Sequence, residues 1–254
     1  MKNKKIIFGI AIIVVLIFST TSCFGQGNSG GGRTFNNAED LKKYLDSQPA
    51  NSPDKPIKVS MTANAPMLPK IAEAINSAGK YVSLNLTGNL LTTIENFIDC
   101  KMLVSITIPN SVTIIEDSAF SDCTSLASVT IPNSVTIIGF AAFQGCTSLT
   151  GITIPNSVTS LKNYAFCDCA SLAKVTIPES VNSIGVEAFS GCKSLSSVMF
   201  QGTISSDNFG FYNKNSKEWY SPFDGDLRDK YLAGGIGTYT TTAPVGLYSK
   251  WTKQ

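Results

Sequence analysis

Residues 124–146 read TSLASVTIPNSVTIIGFAAFQGC, and the same outline returns every 23 residues through the middle of the chain. Cys100, Cys123, Cys146, Cys169 and Cys192 keep that step, and so do Leu103, Leu126, Leu149, Leu172 and Leu195. Phe97 passes in the same way to Phe120, Phe143, Phe166 and Phe189, Pro109 to Pro132, Pro155 and Pro178, and Val112 to Val135, Val158 and Val181. Inside the unit, Val129 and Ile131 alternate with Ser128 and Thr130. That is the period of a half-buried strand, which Pro132 ends by removing a ladder donor. Gly139 and Gly145 permit tight corners. Val135, Ile138, Phe143 and Cys146 recur as apolar residues in every complete unit and are assigned to the inside. No single unit can bury that set, so the units must stack, at about 4.8 Å per strand, into a solenoid with a parallel sheet along one side. Four complete units run from about Lys101 to Cys192, with a degenerate unit before them (Leu84, Leu86, Leu90, Phe97) and a half-turn after them (Leu195, Val198, Phe200).

The consensus L-x-x-[IV]-x-[IV]-P-x-S-V-x-x-[IL]-x-x-x-A-F-x-x-C resembles the BspA-like, or treponemal-type, leucine-rich repeat, since the Pro, Ala-Phe and Cys positions all fall in phase over residues 84–200. The flanking stretches 41–46 and 226–232 are similar to that family's end segments. The resemblance implies an α+β fold: a leucine-rich-repeat solenoid of about five 23-residue coils with a parallel β-sheet. It also implies an exported surface protein or lipoprotein of a host-associated bacterium. Some members of that family bind extracellular-matrix proteins or promote coaggregation with other cells.

Bare solenoid ends would expose apolar surface and unpaired edges, so caps are expected on both sides. In the N-terminal cap, 34–83, Asn37 caps a helix carrying Leu41, Tyr44 and Leu45, and Ile57, Val59 and Met61 alternate as a strand. A second helix places Leu68, Ile71 and Ile75 on one face, stops at Gly79 and leads into Val82, Leu84 and Leu86, read as the first strand of the stack. The C-terminal cap, 201–254, holds Phe209, Phe211, Tyr212, Trp219, Tyr220 and Phe223, then a helix from Asp224 to Leu232 ended by Gly234-Gly235. Those aromatics read as cap core, with an exposed binding patch as the alternative.

Residues 1–23 follow the order of an export signal: Lys2, Lys4 and Lys5, the 13-residue apolar run Ile6–Phe18, then Ser19-Thr20-Thr21-Ser22-Cys23. The run is too short to span a hydrocarbon core of about 30 Å unaided. Cys23 after small residues resembles a bacterial lipobox, which implies lipidation of Cys23 and attachment to the membrane through an N-terminal lipid. Thr20 stands where most lipoboxes carry Leu, so secretion by ordinary signal peptidase stays open beside it. The Gly-rich residues 24–33 read as a tether spanning about 17 Å on average. The expected address is the bacterial envelope, at the outer membrane or cell surface.

The chain has no His, which removes Ser-His-Asp and Cys-His nucleophile systems and histidine metal sites. Loss of Lys2, Lys4 and Lys5 with the leader leaves 17 basic against 18 acidic residues, a net charge of −1 that offers nucleic acid no electrostatic footprint. The five in-phase cysteines are read as buried thiols acting as small hydrophobes. A ladder spread over about 19 Å cannot converge on one zinc ion. Cys167, where other units carry Ser121, Gln144 and Ser190, reads as an exposed thiol. Asp99, Asp122 and Asp168 share a phase with Gly145 and Gly191, the mark of a turn rather than of a catalytic carboxylate pair. No catalytic, metal or cofactor residue is assigned.

The outward strand rows are Ser105, Ser128, Gly151, Lys174 and Ser197 beside Thr107, Thr130, Thr153, Thr176 and Met199. They predict a flat, nearly uncharged strip able to accept an extended protein or glycan. Exposed-strand propensity alone would also select Thr there. Phe140 and Tyr164 break the repeat at an outward position and join the Thr row as candidate partner contacts. The function that follows is non-enzymatic protein–protein binding, with adhesion to a host matrix protein or a bacterial surface protein. The alternative is a periplasmic or secreted carbohydrate-binding or carbohydrate-active solenoid.

Overall fold

The computed structural model describes residues 32–216 and 218–254; the leader, Cys23 and most of the tether lie outside them. The chain opens with β1 (Arg33–Phe35), α1 (Ala38–Asp46), β2 (Ile57–Thr62), α2 (Leu68–Ala78) and β3 (Val82–Thr87). The Asn37 side chain accepts the Asp40 N–H at 2.8 Å and so caps α1, as its sequence position predicts. α2 buries Leu68, Ile71 and Ile75 and stops at Gly79, whose φ of 61° suits glycine.

The repeat continues with β4 (Thr93–Ile94), β5 (Leu103–Thr107), β6 (Ile114–Ile115), β7 (Ser128–Thr130), β8 (Ile137–Ile138), β9 (Ser160–Leu161), β10 (Lys174–Ile177), β11 (Ser183–Ile184) and β12 (Ser197–Phe200). The C-terminal cap adds β13 (Phe211–Asn213), β14 (Glu218–Tyr220), α3 (Leu227–Gly234), β15 (Gly237–Thr240) and β16 (Thr252–Lys253). α3 thus begins and ends slightly later than the sequence suggests.

Two sheets line the coil instead of the single one expected. The front sheet runs β1-β2-β3-β5-β7 in parallel, so β3 is its third strand and not its first. Phe35, Val59 and Met61 are buried like the inward residues of β3, in one core with the buried residues of α1 and α2. A second sheet of two-residue strands, β4-β6-β8-β9-β11, follows the opposite wall.

The front sheet is interrupted after β7. Gly151 makes only a parallel bridge to Lys174, and pairing resumes with β10-β12, closed by antiparallel β15 and β16. Glycine at a strand position removes the side chain that packs against its neighbours and raises the entropy cost of the extended state.

Inside, Phe97, Phe120, Phe143, Phe166 and Phe189 stack with ring centroids 5.2–5.5 Å apart and planes within 19° of parallel. The Phe143 N–H donates to the Ala165 carbonyl of the next coil at 2.8 Å, and Phe120 and Phe166 repeat that bond. Each Cys thiol donates back to the Phe carbonyl of the preceding coil: Cys123 to Phe97 at 3.0 Å, Cys146 to Phe120 at 3.2 Å, Cys169 to Phe143 at 3.2 Å and Cys192 to Phe166 at 3.1 Å. Ser134, Ser157 and Ser180 likewise donate to Val112, Val135 and Val158 one coil back. Every rung therefore closes its polar groups on its neighbours while burying its apolar set.

The ladder ends on Phe223, whose ring stacks 4.7 Å from that of Phe189. The Phe189 N–H donates to Pro222, as the earlier rungs donate to Ala. Phe223 lies 34 residues after Phe189 where the repeat step is 23, an excess of 11 taken up by the hairpin β13–β14. Beneath it, Phe200, Phe209, Tyr231, Tyr239 and Trp251 form the cap core.

Phe143→Ala should cost roughly 3–5 kcal/mol, because the flanking rings cannot close the space; Thr130→Ala, on the exposed face, should cost well under ~1 kcal/mol. Chemical denaturation of both variants checks the difference. Gly151→Ser, which restores the residue that the preceding coil carries at this place as Ser128, should stabilise the chain by about 0.5–1 kcal/mol in the same measurement.

Candidate functional site

The front sheet sets the expected outward rows in register. Lys58, Ser83, Ser105 and Ser128 align across β2, β3, β5 and β7, and Ser60, Asn85, Thr107 and Thr130 align beside them. After the interruption, Gly151, Lys174, Ser197 and Thr240 continue one row, and Thr176, Met199 and Thr238 the other. Thr107, Thr130, Thr153 and Thr176 are all exposed. The hydroxyl strip therefore reaches into both caps, further than the repeat alone indicates. At the interruption it opens into a hollow of about 360 Å³ bounded by Val129, Ile152, Thr153 and Lys174.

Phe140 and Tyr164 lie elsewhere, on the turns that follow the second sheet. Phe140 is 44% exposed and meets the Tyr164 ring edge-on at 5.5 Å. Part of the irregularity around them has a structural origin. Asp117 accepts the Phe140 N–H at 2.7 Å and Asn163 accepts the Val186 N–H at 3.0 Å. Gly139 and Gly185 pass directly against those side chains, where a Cβ would collide with them. An Asp or Asn in one coil thus requires Gly in the next. Ser118, Ala141, Tyr164 and Glu187 all have φ of 51–60°, so this left-handed corner belongs to every coil.

The cap aromatics divide. Phe209 and Phe223 are buried as cap core, whereas Phe211 is 54% and Tyr220 37% exposed, paired across the hairpin with centroids 6.5 Å apart. Between this pair and Tyr164 lies a groove of about 580 Å³ that also presents Asn163, Asn208 and Asn213. The repeat phase does not reveal it, because its walls come from a coil and from the 11-residue excess; the displaced Phe223 is the one trace in the sequence.

The reactive residue types are arranged for structure. Cys100, Cys123, Cys146, Cys169 and Cys192 are buried and free. Burial pushes the Cys100 and Cys146 thiols up to about 12, and those of Cys123, Cys169 and Cys192 also upward. Cys167 corrects the sequence reading: it is only 7% exposed. A polar residue type in the equivalent units suggests an outward position, yet Ser121 is buried there too and Gln144 and Ser190 are half-buried, because the stacked coils partly cover this corner. Burial, and then the Asp168 carboxylate, raise the Cys167 thiol to about 12. Asp99, Asp122 and Asp168, with Gly145 and Gly191, have φ of 58–73°, as a turn position requires. Among the described residues no group of three His, Cys, Asp or Glu is placed to hold a metal ion. None of their helices is long and apolar enough to cross a membrane.

Residues 92–217 match, in six copies, the family described as BspA type leucine rich repeat region. Among solved structures, the chain is similar to a leucine rich repeat protein of T. pallidum, at 26% identity over 51% of this chain and 71% of that one, with a TM-score of 0.40. It is also similar to a leucine-rich repeat protein from Bacteroides ovatus, at 33% identity over 49% of this chain and 32% of that one, TM-score 0.37. A leucine rich cell surface protein from Faecalibacterium prausnitzii matches at 28% identity over 50% of this chain and 41% of that one, TM-score 0.36. No curated protein matches the sequence.

At pH 8, iodoacetamide followed by peptide mass mapping should leave Cys100, Cys123, Cys146, Cys167, Cys169 and Cys192 unmodified until denaturant is added. Because the folded thiols hold protons that the unfolded chain releases, they leave stability unchanged well below the free thiol pKa of about 8.5, and stability falls as pH rises from there toward 12. Unfolding midpoints measured from pH 8 to 11 should fall, and fall less steeply in Cys146→Ala.

Proposed function

This chain is a leucine-rich repeat protein of the BspA type, and from that premise we propose that it is a surface-tethered binding protein whose front sheet docks a protein partner. Proteins of this family generally bind other proteins and are not enzymes. The observation that carries the reading is the strip of Ser and Thr on the front sheet. It supplies hydroxyl donors and acceptors in register, with little charge to repel a partner and short side chains that lose little entropy when covered. The hollow at Gly151 breaks its flatness and gives a partner side chain a place to enter.

The address rests on residues 1–33. Lipidated Cys23 and a Gly-rich tether would hold the solenoid outside the inner membrane, with the outer membrane or cell surface as its place. Adhesion to a host extracellular-matrix protein or to another bacterial surface protein is the role such an arrangement serves.

Immobilised matrix proteins and intact bacterial cells should bind the full chain saturably, with binding retained after enzymatic deglycosylation of the target. Thr130→Glu combined with Thr153→Glu should weaken that binding at least tenfold. Background sticking that disappears with moderate salt and ignores both substitutions would overturn the docking role. On source cells, mass spectrometry should find an acylated Cys23, and added protease should release the solenoid without breaking the envelope.

A further inference from the structure

We infer that the groove between Tyr164 and the β13–β14 hairpin is a binding site for a neutral glycan, separate from the front-sheet strip. The hairpin is the one segment that departs from the repeat and then rejoins it, since Phe223 resumes the ring stack after the 11 extra residues. It is anchored firmly. The Gly210 N–H donates to the Ile184 carbonyl of β11 at 2.9 Å, Phe209 bridges to Ile184, and the buried Arg228 Nε donates to the Phe209 carbonyl at 3.0 Å. A Cβ at Gly210 would collide with the Tyr220 carbonyl, so the hairpin closes tightly at its base. Phe211 and Tyr220 therefore sit on a fixed support, facing a groove whose far wall is Tyr164, itself braced by Phe140.

The polar groups of the groove select the ligand. The Asn163 carbonyl oxygen accepts from the Val186 N–H, and that of Asn213 accepts the N–H groups of Asn215 and Ser216 at 2.9 and 3.3 Å. Both amides are thereby oriented, leaving their NH₂ groups as preset donors. Asp207 adds a carboxylate acceptor, and among the described residues no Lys or Arg lines the groove. An anionic ligand would meet the Asp207 carboxylate, and Glu187 beside Tyr164, with no compensating cation among the described lining residues, and a cationic one would find the Asp207 carboxylate exposed to solvent. A purely apolar ligand would strand the amide donors. Sugar hydroxyls both donate and accept, and the C–H faces of a pyranose ring cover aromatic rings such as those of Tyr164, Phe211 and Tyr220. A neutral oligosaccharide meets all these constraints together. A neutral peptide backbone can meet the same polar groups through its C=O and N–H, but it presents no ring face of C–H groups to the three aromatic side chains.

The full chain should be tested on immobilised neutral oligosaccharides (β-1,4-glucose, β-1,4-N-acetylglucosamine, α-mannose and β-galactose series), with heparin and an unglycosylated peptide array beside them. Binding to at least one neutral series is expected, persisting at 1 M salt where screening is nearly complete (Debye length about 3 Å). Phe211→Ala and Tyr220→Ala, both at exposed positions, should each weaken it at least tenfold while leaving the unfolding midpoint in place. Thr130→Glu with Thr153→Glu should not affect it, which separates this site from the front-sheet role. No binding to any neutral series, binding to heparin or peptides alone, or glycan binding untouched by both aromatic variants would overturn the assignment.

Discussion

One constraint governs the structure: no 23-residue coil has enough interior to bury its own apolar residues, so each must use its neighbour as half of its core. The stacked Phe rings express this most directly. Each ring from Phe120 to Phe166 is covered on both faces by the same residue of the coils on either side. The hydrogen bonds obey the same rule, since the Phe N–H reaches forward to the next coil and the Cys thiol reaches back to the previous one. Stability is therefore a property of the stack, and the ends need a different solution.

The two ends solve it differently. At the N-terminus, helices complete the core: the buried residues of α1 and α2 share one cluster with those of β1, β2 and β3, and the Asn76 side chain donates to the Asp99 carbonyl of the first coil at 2.9 Å. At the C-terminus the chain supplies an imitation rung, with Pro222 accepting from Phe189 and Phe223 completing the ring stack. Asp224 accepts from Ser190 and from the Gly191 N–H, so the polar groups of the last coil are met as well. Antiparallel β15 then covers the β12 edge, which a further parallel coil would otherwise occupy.

These solutions also decide where the two candidate binding surfaces arise. Positions copied from coil to coil yield a uniform surface, the hydroxyl strip, suited to an extended partner. A concave surface needs an interruption, and two among the described residues supply one: Gly151, which opens the front sheet, and the hairpin that delays Phe223. The second carries exposed rings because its residues are released from the stacking rule that buries Phe189 and Phe223 on either side of it.

The sequence by itself determined the coil, its inward residues and its outward rows, because a fixed step of 23 translates every residue onto its own copy and side-chain polarity then sorts inside from outside. The α1 cap at Asn37 and the stop at Gly79 were legible for local reasons of the same kind. Polarity misled at Cys167, since cover at that corner comes from the adjacent coil and not from the residue's own strand pattern. Tertiary structure alone decided that β1 and β2 extend the sheet, that the sheet opens at Gly151, and that Phe211 and Tyr220 face Tyr164 while Phe209 and Phe223 turn inward. The physical reason is common to all three. Each depends on which surface a neighbouring segment leaves uncovered, and outside the repeat no periodic step links that segment to its neighbour.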